Sequence, residues 1–374
     1  MAKNRKTKPA KEPFSFMGKT WFIFLCLIIF APAGIYLLWK NKKYDPAVRL
    51  ILSGAFALFF LYNNAGLFFP DREAGTPPNP AAQIDSGSKT ADTNGANRQN
   101  PPAETEYIPP VLPAPDFSGE RLLQVHFLHV GQADSIVIQT PEGKTLLVDG
   151  GNKGDGDFIK KYLQDLGVKE LAAVIATHPH EDHIGGLPAV FESFPVQSFY
   201  LPDVTHTTET FLDLLKAVEK SEAESLTARV GRSIPTDELY LSMIFLAPNS
   251  SKYQELNNYS AVLKVTYKDI SFLLTGDAEE LSEQEMLDNH RNVNATVLKV
   301  GHHGSKTSSS LDFLKAVRPA YAVISCGQDN EYGYPHPETI TNLKEVETGV
   351  LRTDVLGTIV VETDGEKLGI KAQK

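Results

Sequence analysis

Cysteine is nearly absent: the 374 residues contain two, Cys26 and Cys326, far apart in the chain. A pair so placed excludes a disulfide framework and any cysteine-rich zinc site. Positive charge is scarce beyond the first fifty residues. Those carry ten Lys or Arg against Glu12 and Asp45, a surplus of +8, so the net −10 of the chain leaves −18 on residues 51–374. A body that acidic offers no broad electrostatic footprint for duplex DNA, because phosphate contacts come chiefly from Lys and Arg; local basic grooves stay open. From Asp71 to about Glu120 large aliphatic residues are nearly lacking, while Pro, Ala, Thr, Asn, Asp and Gly abound. Such a stretch cannot build a core, and residues 71–118 are expected to form a semi-extended linker.

What is present begins with charge and apolar runs. Residues 1–19 hold Lys3, Arg5, Lys6, Lys8, Lys11 and Lys19 with little apolar content, and are expected to be a basic cytoplasmic tail. Two uncharged apolar runs, 21–39 and 50–70, fill most of residues 20–70, and each is near the length that spans a bilayer. Both are apolar all round, which weighs against a pair of buried core helices. No small-residue cleavage site follows the first run, and a second run does, so a signal peptide is not the reading. The basic tail and the connector with Lys40, Lys42 and Lys43 both ask for the cytoplasm. A first run that bends at Pro32-Ala33-Gly34 and returns satisfies both. The second run alone then crosses, which gives a cell-membrane protein whose body after Pro70 lies outside the cell.

The body reads as alternating strands and helices. Strands are expected at 122–128, 135–139, 145–148, 171–176, 196–201, 240–246, 260–267, 270–275, 295–300 and 320–325, with a final hairpin over 349–372. Helices are expected at 157–166, 208–221, 279–290, 309–317 and 337–347. Such alternation over this length predicts one α/β domain, residues 119–374.

Ligand-type side chains gather where strands end. After the apolar run 171–176 come His178, His180, Asp182 and His183, closed by Gly185-Gly186. Imidazole and carboxylate bind zinc, manganese or iron, and their alternation in one loop can serve two adjacent metals, His178 and His180 for one and Asp182 and His183 for the other. Four ligand types in six residues weigh against a loop whose histidines merely bond the backbone. Asp149 ends the strand 145–148 ahead of two glycines, Asp277 follows the strand 270–275, and Gly301-His302-His303-Gly304-Ser305 follows 295–300. Taken singly, Asp149 and Asp277 read equally well as turn or cap residues. Recurrence at four strand ends favours a shared site.

The segment His178-Pro179-His180-Glu181-Asp182-His183, with strand-end aspartates on both sides and a late histidine, resembles the metallo-β-lactamase superfamily. That resemblance implies an αβ/βα sandwich. More narrowly, Phe127-Leu128-His129-Val130-Gly131-Gln132-Ala133-Asp134-Ser135, Leu256-Asn257-Asn258-Tyr259-Ser260, Leu274-Thr275-Gly276-Asp277 and His302-His303-Gly304-Ser305 resemble the metallo-hydrolase domain of the ComEC-type competence channel, over about Arg121 to Lys374. The many membrane spans of the channel are not matched, so the implied protein is that domain, free-standing on a short anchor.

The resemblance implies a two-metal site, with Zn2+ expected and Mn2+ as the alternative. His178, His180 and one of the late pair, taken as His302, would hold the first ion. Asp182, His183 and Asp277 would hold the second, with Asp277 bridging and Asp149 orienting a ligand. The other late histidine, His303, would then be the acid or oxyanion donor, which makes Asp182, His303 and Asp149 the catalytic candidates. Ser305 and Lys306 are candidates for phosphate contact. There are departures from the family pattern: Ala133 stands where it has Gly, and Tyr334 where it has His, with His336 as a substitute. Between the cluster and Asp277 only His206 is available as a further histidine, and its Thr-rich loop reads as surface, which leaves Asn258 or water for that position. The implied function is metal-dependent hydrolysis of a phosphodiester, single-stranded DNA foremost. A phosphorylcholine esterase or another surface hydrolase is the alternative, which the acidic body suits, and a non-catalytic binding module is the alternative of another class, which the full ligand set opposes. No protein partner is predictable. His126, His129 and Cys326 read as structural.

Overall fold

The computed structural model describes residues 115–374. The basic tail, both apolar runs and the linker up to residue 114 lie outside the described residues; among the described ones no helix is long and apolar enough to cross a membrane. The first strands are β1 (Leu123–Phe127), β2 (Ile136–Gln139), β3 (Thr145–Val148), β4 (Leu171–Ile175), β5 (Val196–Leu201) and β6 (Glu224–Thr227). They are followed by β7 (Ser233–Ile234), β8 (Leu241–Phe245), β9 (Leu263–Tyr267), β10 (Ile270–Leu274), β11 (Val297–Lys299), β12 (Tyr321–Ile324) and β13 (Gly349–Arg352), and the chain closes with β14 (Ile359–Thr363) and β15 (Leu368–Ala372). Among the described residues they form two sheets, β15-β14-β1-β2-β3-β4-β5-β6 and β13-β12-β11-β10-β9-β8-β7.

Strand side chains alternate between two faces, and the alternation sorts the core into layers. Val125, Phe127, Leu146, Val148 and Ile175 of the first sheet pack with Phe245, Leu263, Val265, Phe272 and Leu274 of the second. The intervening residues point outward onto helices. Leu147 and Val174 meet α1 (Gly156–Asp165), α3 (Leu187–Ser193) and α4 (Glu209–Lys220), while α2 (Glu181–Ile184) is a single turn. On the other side Leu273, Leu298 and Ala322 meet α5 (Glu280–Asp288), α6 (Leu311–Val317) and α7 (Pro337–Glu345). The layers are therefore helix, sheet, sheet, helix, the αβ/βα order that the resemblance implied. β3, buried on both faces, is apolar apart from its first residue, Thr145.

Helix ends follow local chemistry. Thr208 caps α4 by accepting the Phe211 N–H, and Ser310 caps α6 by accepting the Phe313 N–H, each at 3.4 Å. Pro337 opens α7, where a missing N–H costs nothing. Three expectations differ from the structure. Helices α2 and α3 were not foreseen, nor were the largely exposed β6 and the two-residue β7. The closing hairpin is confined to β14 and β15: Gly349–Arg352 instead pairs parallel with β12 in the second sheet, because Leu351 is drawn into the core between the sheets beside Val323. One turn over Thr353–Leu356 then carries the chain back to the first sheet.

Candidate metal centre

Four strand ends meet along one edge of the sandwich, two from each sheet. β3 and β4 run parallel in the first sheet and β10 and β11 in the second, so their C-terminal ends open on a shared crevice, where parallel sheets usually hold their sites. The chain leaving β4 turns at once into α2, with His180 as the N-cap residue and Asp182 and His183 in the turn itself. The loop after β4 lies directly on the loop after β3. A Cβ on Gly186 would stand 2.3 Å from the Gly150 carbonyl oxygen, so only glycine permits that approach.

Left-handed backbone marks three ligand-type residues, with φ of 58° at Asp149, 49° at His302 and 54° at His303. Such a conformation costs about 1–3 kcal/mol at a residue other than glycine and persists where its surroundings over-determine it. Here the His302 N–H donates to the Gly276 carbonyl at 3.1 Å, and His303 Nδ1 donates to the Ser325 carbonyl at 3.0 Å.

Hydrogen bonds settle which imidazole nitrogen faces the crevice. His183 Nδ1 donates to Asp149 Oδ2 at 2.8 Å, and Thr177 gives its N–H to Oδ1 and its hydroxyl to Oδ2, both at 2.8 Å. A carboxylate or a carbonyl only accepts, so in His183 and His303 the hydrogen sits on Nδ1 and Nε2 is turned to the crevice. His178 follows the same rule, with Nδ1 3.1 Å from Thr177 Oγ1.

The atoms so presented converge. His183 Nε2, His303 Nε2 and Asp277 Oδ1 are buried without a hydrogen-bond partner. Together with Asp182 these residues bring ligand atoms within 4.8 Å of one another. His183 Nε2 lies 3.2 Å from Asp277 Oδ1 and 3.8 Å from Asp182 Oδ2, and His303 Nε2 lies 3.2 Å from Asp182 Oδ2. Ligands at 2.0–2.1 Å around a tetrahedral zinc stand about 3.3 Å apart, so the residues fit a cation. Beside this group, His178 Nε2 and His180 Nδ1 are 3.0 Å apart, and Asp277 Oδ2 is 3.9 Å from His178 Nε2. Asp277 faces both groups.

Electrostatics describe the same trap for positive charge. Burial by itself lowers His183 and His303, but Asp277 and the other carboxylates around them outweigh it and raise both. Burial would raise Asp277 and Asp182, yet the attraction of His183 and His303 holds both below the usual carboxylate range. His178, dominated by burial and then by His183, is pushed well down. A bound cation takes the place of protons in such a cluster.

The structure distributes the late histidines differently from the sequence expectation. His303, not His302, lies in the group of Asp182, His183 and Asp277. His302 stands at the mouth, its Nε2 3.7 Å from Asp277 Oδ2 and 3.5 Å from the Tyr334 hydroxyl, its Nδ1 3.4 Å from Glu279 Oε1. Consecutive residues in left-handed conformation face different ways, and nothing in the letters His-His says which. Asn258 is turned away, its amide bonding Glu279 and accepting the Ser282 N–H. His206 pairs with Thr208 and lies near enough for its charge to act on His180, and His336 Nδ1 accepts the Lys306 N–H. Ser305 is buried against Thr307, whereas Lys306 is exposed.

Sequence reasoning missed Lys299 and saw Asp134 only as part of a motif. Both are cut off from solvent and paired at 2.8 Å, with the other oxygen of Asp134 3.6 Å from His303 Nδ1. The Asp134 N–H donates to the Asp182 carbonyl at 3.1 Å, tying the first loop to the histidine loop. A buried pair of this kind is costly to break, since one partner alone leaves a naked charge. Its only sequence signal was a lysine inside the apolar run Val297-Leu298-Lys299-Val300.

Known proteins share these features. ComE operon protein 3 of Bacillus subtilis is 31% identical over 254 residues, which is 63% of this chain and 32% of that protein. Recombination protein 2 of Haemophilus influenzae is 31% identical over 253 residues, 66% of this chain and 30% of that one. Competence protein ComA of Neisseria gonorrhoeae is 27% identical over 266 residues, 70% of this chain and 35% of that one. The matched part is thus about a third of the length of these relatives. Residues 128–328, which hold every ligand-type residue of the crevice, match the family model of the metallo-beta-lactamase superfamily, and the chain belongs to that superfamily.

Proposed function

We propose that the chain is a metal-dependent phosphodiesterase whose foremost substrate is single-stranded DNA. The observation that carries the metal-dependent chemistry is the convergence of His183 Nε2, His303 Nε2 and Asp277 Oδ1, buried and without a hydrogen bond, beside Asp182. DNA is supported by relatives named for competence and recombination. Asp182, His183, Asp277 and His303 would hold one ion, and His178 and His180 with Asp277 the other, zinc foremost and manganese as the alternative. A metal pair in such a site supplies a water acidified toward neutrality and a Lewis acid for the phosphoryl oxygen.

The chain's own residues do the remaining work. Asp149 holds His183 in one tautomer and one orientation. His302, at the mouth and braced by Glu279, is set to donate to the leaving oxygen or to a non-bridging oxygen. The exposed ammonium of Lys306, next to that loop, is free to meet a phosphate charge. A second reading, a phosphorylcholine esterase at the cell surface, draws on the −18 carried by residues 51–374, which suits a cationic substrate group.

The test is hydrolysis by the full chain, loaded with zinc or with manganese, of single-stranded DNA, a bis-aryl phosphodiester, a phosphorylcholine ester and a β-lactam. The proposal expects turnover of the first two. Turnover of the choline ester alone would favour the second reading, and turnover of the β-lactam alone would sink both. The apolar runs at 21–39 and 50–70 are proposed as the anchor that holds the body outside the cell. Protease added to intact cells should then remove the body, and full protection would place it inside.

A further inference from the structure

Two tyrosines continue the crevice outward as a column of rings. Tyr334 lies nearly parallel to His303, with centroids 6.5 Å apart and planes 20° apart, and Tyr332 lies nearly parallel to Tyr334 at 5.4 Å and 17°. Edges close the sides: His302 meets the Tyr334 ring at 5.6 Å and 67°, and His336 meets it at 4.9 Å and 88°. The loop that carries the pair is braced by one side chain. Asn330 accepts the Tyr334 N–H at 2.9 Å and donates to the carbonyls of Tyr334 at 2.7 Å and Gly327 at 2.9 Å. Gly333, with φ of +70°, makes the turn between the two rings.

A single exposed tyrosine is an ordinary surface residue. Tyr332 differs in being 58% exposed while stacked on a ring that is itself stacked on a histidine of the candidate metal centre. Among the described residues Tyr334 is its one ring neighbour. We infer that Tyr332 and Tyr334 form a stacking platform for a planar ring attached to the scissile phosphodiester, foremost a nucleobase. The inference rests on the phosphodiester reading of the crevice and adds to it the class of group beside the scissile bond. Parallel rings present one flat outer face, which another flat ring extends. A quaternary ammonium is held by rings on several sides, and this column does not surround one. The braced loop means that little order has to be created on binding.

Equilibrium binding separates this inference from the reaction itself. Fluorescence anisotropy would compare the full chain, solubilised in non-ionic detergent, with labelled oligothymidylate and with an abasic oligomer of equal length. The wild-type chain should bind the base-bearing oligomer roughly tenfold more tightly, Tyr332→Ala should lose that preference, and Tyr332→Phe should keep it. Equal affinity for the two oligomers in the wild type would overturn the inference, as would a preference that survives Tyr332→Ala. A phosphorylcholine ester that displaces the oligonucleotide from the wild type but not from Tyr332→Ala would overturn it as well, in favour of a cation site. Because the readout is binding, failure of the chain to cleave any phosphodiester would remove the proposed reaction and leave the base preference to stand or fall on its own.

Discussion

Asp149 touches neither group of metal-facing atoms directly with a free oxygen; its two oxygens are taken by the Thr177 N–H, the Thr177 hydroxyl and His183 Nδ1. Its effect is therefore exerted through His183. An amide in its place would turn a donor toward Nδ1 or leave one Thr177 hydrogen unmet, and the imidazole would lose its enforced tautomer. Asp149→Asn is expected to weaken metal binding by roughly 10- to 100-fold, as read by titration against a competing chelator. Unchanged affinity would show that His183 needs no such partner. At this scale the sequence is informative where chemistry is consecutive: His178, His180, Asp182 and His183 announce themselves by spacing. It is silent where geometry decides, as between His302 and His303, whose left-handed backbone assigns one to the interior and one to the mouth. It is also silent on Asp134 and Lys299, which meet only because the fold brings the first loop beneath β11.

Strand β1 shows how an element couples a buried titratable group to stability. His126, on its helix-facing side, is buried against α1, where the Tyr162 hydroxyl meets Nδ1 at 2.9 Å. Burial lowers its pKa to about 4. The unfolded chain protonates this group near pH 6.5, so it binds the proton before the folded chain does. Stability is then lost as pH falls from about 6.5 through about 4, by roughly 3 kcal/mol at the lower end. His126→Phe should remove that increment, so urea unfolding of variant and wild type at pH 7 and pH 4.5 should show the smaller loss in the variant. Equal losses would mean that His126 is not the group responsible. Elements themselves were legible to the extent that they are periodic: the apolar strands and the helices α1, α4, α5, α6 and α7 follow from alternation and from 3.6-residue spacing. The polar β6 and the single-turn α2 carry no such period, α3 shows it only over Leu187, Val190 and Phe191, too short a run to stand out, and β13 differs from the expected hairpin because its pairing with β12 is a long-range choice.

Across the whole molecule, neither sheet holds a complete site. The first contributes Asp149, His178, His180, Asp182 and His183, and the second contributes Asp277, His302 and His303. The two halves face each other only because the sandwich core of Phe127, Phe245 and Phe272 fixes the sheets back to back. The fold class could be read from the sequence because strands and helices alternate; the arrangement of the centre could not, since it depends on how two edges align. The acidic body is also uneven. A cleft of about 1020 Å³ lined by Arg229, Arg232 and Asp203 opens where β5, β6 and β8 end, the same edge of the sandwich that carries the crevice.

The central claim is that this two-sheet cluster hydrolyses phosphodiesters with bound metal, and Asp182 is the residue on which both the metal-facing geometry and the His303 contact depend. The most direct measurement is kcat/KM of the metal-loaded full chain for the bis-aryl phosphodiester, wild type beside Asp182→Ala. A fall of about a thousandfold or more, near 4 kcal/mol of transition-state stabilisation, is the expected result. Undiminished hydrolysis by Asp182→Ala would contradict the account.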